Sequence, residues 1–301
     1  MTPLVSVVIP NYNRAADLRR ALRSVVRQTW RQWEALVVDN HSTDNVAQVI
    51  EEFQDRRIRM LSVHNHGVIA VSRNVGVTNA AGAYVAFLDS DDWWAPRKLE
   101  LSMRSLESGA DIVYHDLYLA RSQRSGWRLR RAVTRPLSSP AFKCLIERGN
   151  VLTNSSVVVR RRLLLEIGGL SEDPALVSWE DYECWVRLAA VTEKFSRLTQ
   201  PLGWYWVGGG SLSSPQRTLR NLERIKEIYF SNAPHQGAEG LPGWYHYGLG
   251  RAHFHLGEYA QAWLHMKRAL RGTLYPNVRA KACMTLGASM IRGRLYPHLI
   301  E

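Results

Sequence analysis

The sequence predicts an α/β fold: a Rossmann-like, mostly parallel sheet with helices on both faces, followed by an α-helical extension. Three observations carry this. Short β-branched runs alternate with stretches of helical spacing through the first 115 residues. The runs are continuously apolar, as in strands buried on both faces, and do not alternate as in a sheet with one wet face. From about residue 216 the chain changes character and reads as helical. The expected division is 1–215 for the α/β domain and 216–301 for the helical extension.

The expected strands are Val5–Ile9, Ala35–Val38, Ile58–Val63, Tyr84–Leu88 and Ile112–Tyr114. Helical spacing fills Asp17–Arg27, Asn45–Phe53, Ile69–Asn79 and Arg97–Glu107. Right-handed crossovers between parallel strands stack such units into a doubly wound layer. Ligands then bind beyond the carboxyl ends of the strands, here near residues 10–14, 39–44, 64–67 and 89–94. The middle of the chain offers a strand at Ser155–Val159, a turn at Gly168–Gly169, a helix from about Glu180 and an aromatic strand at Leu202–Val207. In the loop from Gly208 to Pro215, the glycine-rich segment from Val207 to Ser213 reads as a mobile lid. Further on, Gly250, Gly257, Tyr259, Ala262 and Ala269 fall at the spacing of one tetratricopeptide helix pair. A plain helical hairpin fits the same spacing and is preferred. Helices near Gln216–Tyr229 and Val278–Ile291 are its expected neighbours.

Composition narrows the class. No run of ~18 apolar residues is present, so no membrane span is expected. The amino terminus lacks the basic leader of a signal peptide. Three distant cysteines, Cys144, Cys184 and Cys283, suggest a reducing cytoplasm without disulfides or a zinc site. The net charge is +12, and ten Arg and one Lys between Arg121 and Arg162 face one acid, Glu147. Such an excess, including Arg121, Arg124, Arg128, Arg130, Arg131 and Arg135, suits an anionic partner. Lipid headgroups at the inner face of the plasma membrane, a phosphate-linked acceptor and nucleic acid all qualify by charge. A solvated surface loop explains the same composition.

The strongest chemical signal is Asp89-Ser90-Asp91-Asp92, directly after an apolar strand. Carboxylates crowded at a strand exit repel one another unless a cation joins them. Mg²⁺ or Mn²⁺ takes oxygen ligands and shares them with substrate phosphates. An acidic helix start explains the cluster less specifically. A second acidic pair, Glu180-Asp181, stands between Trp179 and Tyr182 and precedes Arg187. One carboxylate there suits a general base, although a helix amino terminus also favours acids.

The order of motifs resembles glycosyltransferase family 2, whose members adopt the GT-A fold. Pro10-Asn11-Tyr12-Asn13 ends the first strand and Asp39-Asn40-His41-Ser42-Thr43-Asp44 the second. Ser72-Arg73-Asn74-Val75-Gly76 follows, then the acidic cluster and the Glu180-Asp181 pair. The resemblance covers about Leu4 to Ser214. It implies a metal-dependent, inverting transfer of a hexose-type sugar from a nucleotide-diphosphate donor to a saccharide or lipid-linked acceptor in bacterial surface polysaccharide synthesis. It implies that Pro10, Tyr12 and Asn13 shape the nucleotide pocket, with Tyr12 against the base, and that Asp39 or Asn40 reads the base edge. Arg73 is implied near the diphosphate, and Asp89 with Ser90 near the ribose or donor sugar. It further implies Asp91 as the metal ligand and Asp181 as the base, with Glu180 on the acceptor or its loop. Trp93, Trp94 and Trp179 are implied as acceptor walls, and core packing fits Trp93 and Trp94 equally. Where the family usually has a second Asp, this chain has Asn40. UDP is the expected donor, with dTDP and GDP left open. Nucleic acid then drops out as the expected partner.

Two other classes fit parts of the pattern. A metal-dependent nucleotidyltransferase also places carboxylates on an α/β sheet, but a Gly-rich phosphate loop near residue 10 is missing and the Glu180-Asp181 pair has no role in it. An inactive scaffold acting through its C-terminal helices has no use for Asp89, Asp91 and Asp181.

Overall fold

A computed structural model describes residues 4–121, 130–209, 214–231 and 240–295. The chain divides into two compact units. The first comprises Met1–Ala141, Val151–Glu172 and Glu180–Gly210, and the second Phe142–Asn150, Asp173–Trp179 and Ser211–Glu301. Two internal segments thus join the C-terminal helices.

In the first unit the chain runs β1 (Val5–Asn11), α1 (Ala15–Val26), β2 (Trp33–Asp39), α2 (Val46–Glu51), β3 (Ile58–Ser62), α3 (Ile69–Asn79) and β4 (Tyr84–Phe87). It continues with β5 (Trp93–Trp94), α4 (Lys98–Glu107), β6 (Ile112–Ala120) and β7 (Arg131–Ala132). A helix, α5 (Ala141–Arg148), leads out of this unit, which resumes with β8 (Val158–Arg160), α6 (Arg161–Glu166), α7 (Glu180–Val191) and β9 (Phe195–Trp206).

The sheet order is β3-β2-β1-β4-β8-β6-β9-β5, with β7 paired to β6. The first four strands are parallel, as their alternation with helices predicts. Beyond β4 the sheet turns mixed. β8 is antiparallel to both β4 and β6, and β9 is parallel to β6 but antiparallel to β5. No single helical crossover joins these strands, so the constraint that keeps βαβ units parallel lapses there.

Leu18, Ala21, Leu22 and Val25 recur at i, i+3, i+4 and i+7 and turn one face of α1 into the core with Val5, Val7, Ile9, Ala35 and Val37. The Ala15 N–H donates to Asp44 Oδ2 at 2.7 Å, so the loop after β2 caps this helix. Gly76 lets α3 lie on β1: a Cβ there would sit 2.4 Å from Val8 Cγ1.

The second unit contains α8 (Pro215–Tyr229), α9 (Gly243–Leu256), α10 (Tyr259–Arg271) and α11 (Pro276–Leu295). Its two internal segments are pinned by Asn221 Nδ2 donating to the Val177 carbonyl at 3.0 Å and Trp244 Nε1 to the Ile146 carbonyl at 2.8 Å. The α9–α10 pair is a tight hairpin. Gly257 ends α9 in the left-handed region at φ 83°, and a Cβ on Gly250 would meet Met266 Cε at 2.9 Å. Among the described residues no helix is long and apolar enough to cross a membrane.

Candidate active site

The exits of β1 and β2 are laced together. Asp39 Oδ1 accepts from Asn11 Nδ2 at 3.0 Å and Ser42 Oγ at 2.6 Å, and its Oδ2 accepts from the Ser42 N–H at 2.9 Å. One acceptor position on Oδ2 is left over. Asn13, at φ 50°, accepts the Thr43 N–H on Oδ1 at 2.8 Å. Pro10 is buried within β1, whereas Tyr12 is 58% exposed and presents its ring outward. Asn40 Oδ1 accepts the Asn65 N–H at 2.8 Å. A backbone N–H can only donate, which fixes the amide orientation and leaves the Asn40 NH₂ as the free end.

The acidic cluster follows β4 at the same edge of the sheet. Asp89 Oδ1 accepts from Arg73 Nη2 at 2.7 Å and Asn154 Nδ2 at 3.1 Å, and its N–H donates to Ser155 Oγ at 3.1 Å. The other arm of Arg73 is ion-paired with Glu180. The guanidinium is 3% exposed. Burial works against its charge, but Asp89 and then Glu180 outweigh that and hold it firmly protonated. Arg73 therefore bridges the acidic cluster and the Glu180-Asp181 pair, 107 residues apart from Glu180 in sequence. Both of its terminal nitrogens meet carboxylates, which compensate its buried charge.

The remaining acids differ in their surroundings. Asp91 lies 3.4 Å from Arg14. Burial raises its pKa to about 6, with Asp89 adding to the rise and Arg14 opposing it. Asp92 is buried, and its Oδ1 accepts the Trp206 N–H at 2.7 Å. Its Oδ2 has no well-formed hydrogen bond, with only the Ser155 hydroxyl near enough to ease the charge. Burial, then Asp89 and Asp91, push its carboxyl well above the usual range. Ser90 is buried beside them. Asp181 is half-buried at the start of α7 and accepts the Tyr182 N–H at 2.6 Å. Burial raises its pKa to about 7, the neighbouring Glu180 adds to the rise, and Arg73 opposes it. A carboxyl balanced near neutrality suits proton transfer.

These acids fit a hard divalent cation: the donor set is all oxygen, the carboxylates are crowded, and Asp92 carries a poorly satisfied buried oxygen. Among the described residues no group of three or more His, Cys, Asp or Glu side chains converges on one point. A cation here would need ligands from substrate phosphates, the usual habit of Mg²⁺.

The aromatic expectations divide. Trp93 is half-buried, stacked on Trp204 at 5.7 Å and under Arg20 at 4.2 Å. Of the two readings of Trp94 the core one fits: it is 3% exposed, donates Nε1 to the Ser155 carbonyl at 2.7 Å and carries Lys98 over its ring at 3.7 Å. With both faces inside the core it has none for a ligand. Trp179 belongs to the second unit, where its ring lies 6.0 Å from Trp244.

Sequence reasoning passed over four side chains that the fold brings here. Asn154 and Ser155 support Asp89 from the turn before β8, and Arg20 donates to the Asp91 carbonyl at 2.6 Å. Tyr205 on β9 is raised by burial and then by Asp92, Asp89, Asp91 and Asp181, so it stands in the field of the whole acidic site. Only its place in an aromatic strand hinted at this. Residues 210–213 of the lid expected from Val207 to Ser213 lie outside the described residues, as do Arg124 and Arg128 of the basic stretch.

The sequence model of glycosyl transferase family 2 matches residues 6–168. The chain is 40% identical over 238 residues to the putative teichuronic acid biosynthesis glycosyltransferase TuaG of Bacillus subtilis, covering 77% of this chain and 92% of that protein. It is 40% identical over 112 residues to WfgD of Escherichia coli, a UDP-Glc:alpha-D-GlcNAc-diphosphoundecaprenol beta-1,3-glucosyltransferase. That match covers 37% of this chain and 44% of WfgD, so the chain spans less than half of that relative's length. Among solved structures, residues 1-349 of S. aureus TarS match with a TM-score of 0.60 at 19% identity, covering 97% of this chain and 91% of that one. The mannosyltransferase PcManGT from Pyrobaculum calidifontis, in complex with GDP-Man and Mn2+, matches with a TM-score of 0.58 at 17% identity, covering 98% and 87%. At such identities the structural likeness speaks to the GT-A fold alone.

Proposed function

The chain belongs to glycosyl transferase family 2, and from that premise we propose that it is an inverting, metal-dependent enzyme of bacterial surface polysaccharide synthesis. It moves a hexose-type sugar from a nucleotide-diphosphate donor, UDP first, to a saccharide or lipid-linked acceptor. The observation that carries the reading is the Arg73 bridge. It sets the donor-side carboxylate Asp89 and the Glu180-Asp181 pair around one buried guanidinium, with Asp181 left half-exposed at a pKa of about 7.

Each group has a task in this reaction. Tyr12 lies against the base, in a pocket shaped by Pro10 and Asn13. Asp39 accepts a ring N–H on its spare lone pair, and the free NH₂ of Asn40 donates to a ring carbonyl. Uracil and thymine both offer that donor–acceptor pair. Asp89, with Oδ1 tied to Arg73 and Asn154, keeps Oδ2 for the ribose or donor sugar. Asp91 would hold Mg²⁺ or Mn²⁺, with Asp92 nearby. When bound, the cation supplies charge stabilisation for the leaving diphosphate. Asp181 takes the proton of the acceptor hydroxyl. The acceptor oxygen then bonds to the anomeric carbon as the carbon–phosphate-oxygen bond breaks, and the nucleoside diphosphate leaves. Glu180 positions this base through Arg73, and Trp93 borders the acceptor side.

The relatives support the setting. TuaG is named for teichuronic acid biosynthesis and WfgD for a UDP-Glc donor with a diphosphoundecaprenol acceptor. TarS has been solved with UDP and UDP-GlcNAc, and PcManGT with Mn2+. An acceptor of that kind sits in a membrane, and the exposed Arg121, Arg130 and Arg131 suit peripheral contact with its anionic surface. The test is a donor hydrolysis screen across UDP-, dTDP- and GDP-sugars with Mn²⁺, paired with calorimetric titration of UDP. Hydrolysis of UDP-sugars first is expected. Absence of nucleotide binding would overturn the reading in favour of an inactive scaffold.

A further inference from the structure

The last helix turns a face of small residues inward and leaves an apolar stripe on the opposite side. On α11, positions 278, 282, 285, 289 and 293 share one face, and Ala282 and Ser289 on it are 0% and 1% exposed. At about 100° per residue, Ala280, Met284, Gly287 and Ile291 form the apolar stripe, about 60° wide, on the opposite side. Met284 is 74% exposed and Ile291 64%, the largest exposures among the big apolar side chains described. Open space surrounds Gly287, and Met290, 45% exposed, stands beside the stripe. An i, i+4, i+7, i+11 apolar stripe ordinarily faces a core; here it faces solvent.

Charge identifies what covers it. Arg279 flanks the stripe on one side and Lys281 on the other, both exposed. From Tyr259 to Ile300 the chain carries seven Lys or Arg and no Asp or Glu. A second copy docked through the same stripe would bring these cations together with no local acid to neutralise them. An apolar centre edged by cations matches an interface that is apolar within and anionic at its rim.

We propose that the outward stripe of α11 docks on a bilayer bearing anionic phospholipid, with Met284 and Ile291 entering the acyl boundary and Arg279 and Lys281 meeting headgroup phosphates. This surface is distinct from the basic stretch between Arg121 and Arg135, and it is read without turnover, so its failure and that of the transferase reading are separable.

The experiment is co-sedimentation of the full chain with vesicles of phosphatidylcholine alone or mixed with phosphatidylglycerol. The wild type is expected to partition onto the mixed vesicles and to leave them as salt rises. Met284→Gln/Ile291→Gln should weaken partitioning by about tenfold or more, because two apolar side chains no longer enter the acyl region. Both side chains are solvent-exposed, so the variant should unfold at the wild-type temperature. Arg279→Gln/Lys281→Gln should abolish the preference for phosphatidylglycerol. Cys283 is the exposed cysteine while Cys144 and Cys184 are buried. An environment-sensitive fluorophore on it should shift to the blue on mixed vesicles. Equal partitioning onto both vesicle types would overturn the proposal. So would unchanged binding of the Met284/Ile291 variant, which would leave the Arg121–Arg135 stretch as the contact. Concentration-dependent dimers lost in the same variant would assign the stripe to a second copy.

Discussion

The Arg73 bridge makes two substitutions push the same pKa in opposite directions. Asp181 sits at about 7 because burial and Glu180 raise it while Arg73 lowers it. Arg73→Gln removes the lowering influence, so Asp181 stays protonated to higher pH and the ascending limb of the kcat profile moves up. Glu180→Gln removes a raising influence, and the limb moves down. In the wild type the ionised fraction of Asp181 falls roughly fivefold between pH 7 and pH 6, and transfer should follow it. Glu180→Gln should keep more of its pH 7 rate at pH 6 than the wild type does, and Arg73→Gln should keep less. The stability consequences also differ. Arg73→Gln strands Glu180, which is 4% exposed and already has one unpaired oxygen, beside an untied Asp89. Breaking a buried pair from one side costs roughly 3–5 kcal/mol. Pairing it with Glu180→Gln should recover part of that loss, a coupling that a double-mutant cycle reads directly. The assay is sugar transfer from pH 5.5 to 8.5 with saturating donor, alongside urea unfolding of the four proteins. Shifts of the limb in the same direction for both single variants would refute the reasoning.

Asp181→Asn should bind UDP nearly as the wild type does while transfer falls about 10²–10⁴-fold, or roughly 3–5 kcal/mol of barrier; retention of more than about a tenth of transfer would move the base elsewhere. The same variant should be more stable than the wild type at pH 8, by about 1 kcal/mol or more. The folded pKa of about 7 lies above the unfolded value of 3.8. The native state therefore holds the extra proton, wild-type stability drops as pH rises between these values, and the gap should close below pH 4 in urea titrations. Asp91→Asn should fold normally and lose Mn²⁺-stimulated hydrolysis of the donor, whereas hydrolysis by the wild type undiminished in chelator would remove the metal from the reaction. Lys98→Met should raise the unfolding midpoint, since Lys98 is 0% exposed, its Nζ has no hydrogen-bond partner, and burial holds its pKa well below normal. That gain should shrink as pH rises toward the pKa of an unfolded lysine.

What the sequence disclosed follows the range over which its patterns act. β1, β2 and β4 were legible because each is a mostly apolar run buried along its length, β3 because it follows a helical segment in the same alternation, and the order of strand and helix favours their parallel pairing. The exits of β1, β2 and β4 were legible because polar motifs stop those runs abruptly. The mixed half was not, since nothing local to Val158–Arg160 or Phe195–Trp206 says which strand lies beside it. The same limit hid the partners of Arg73. The R-N-x-G motif marked Arg73 and Gly76 as special, but neither the Val8 contact that requires Gly76 nor the carboxylates flanking Arg73 have any periodic trace. Asn154 was invisible for the same reason. Trp94 stayed undecided in the sequence because a Trp-Trp pair beside an acidic motif reads equally as a sugar platform and as core.

Each acidic motif in the site divides its labour, and electrostatics shows how. In the pair on α7, Glu180 is consumed by Arg73, and Asp181 keeps only a backbone N–H and a raised pKa. In the cluster after β4, Asp89 gives one oxygen to Arg73 and Asn154, Asp92 gives one to the Trp206 backbone, and Asp91 meets Arg14 at 3.4 Å. A carboxylate oxygen already engaged by a guanidinium or an amide has less to offer a new ligand. A carboxylate that is half-buried with weak partners gains most from a bound cation or an incoming proton. Asp91 and Asp181, at about 6 and about 7, are of the second kind. They are also the two residues assigned to metal and base by motif position alone. In the proposed reaction Glu180, Asp89 and Arg73 are the frame around those two carboxylates, which Arg14 and Arg73 compensate only in part. For that reason a conservative change in the frame should show first as a displaced pH profile and second as lost stability.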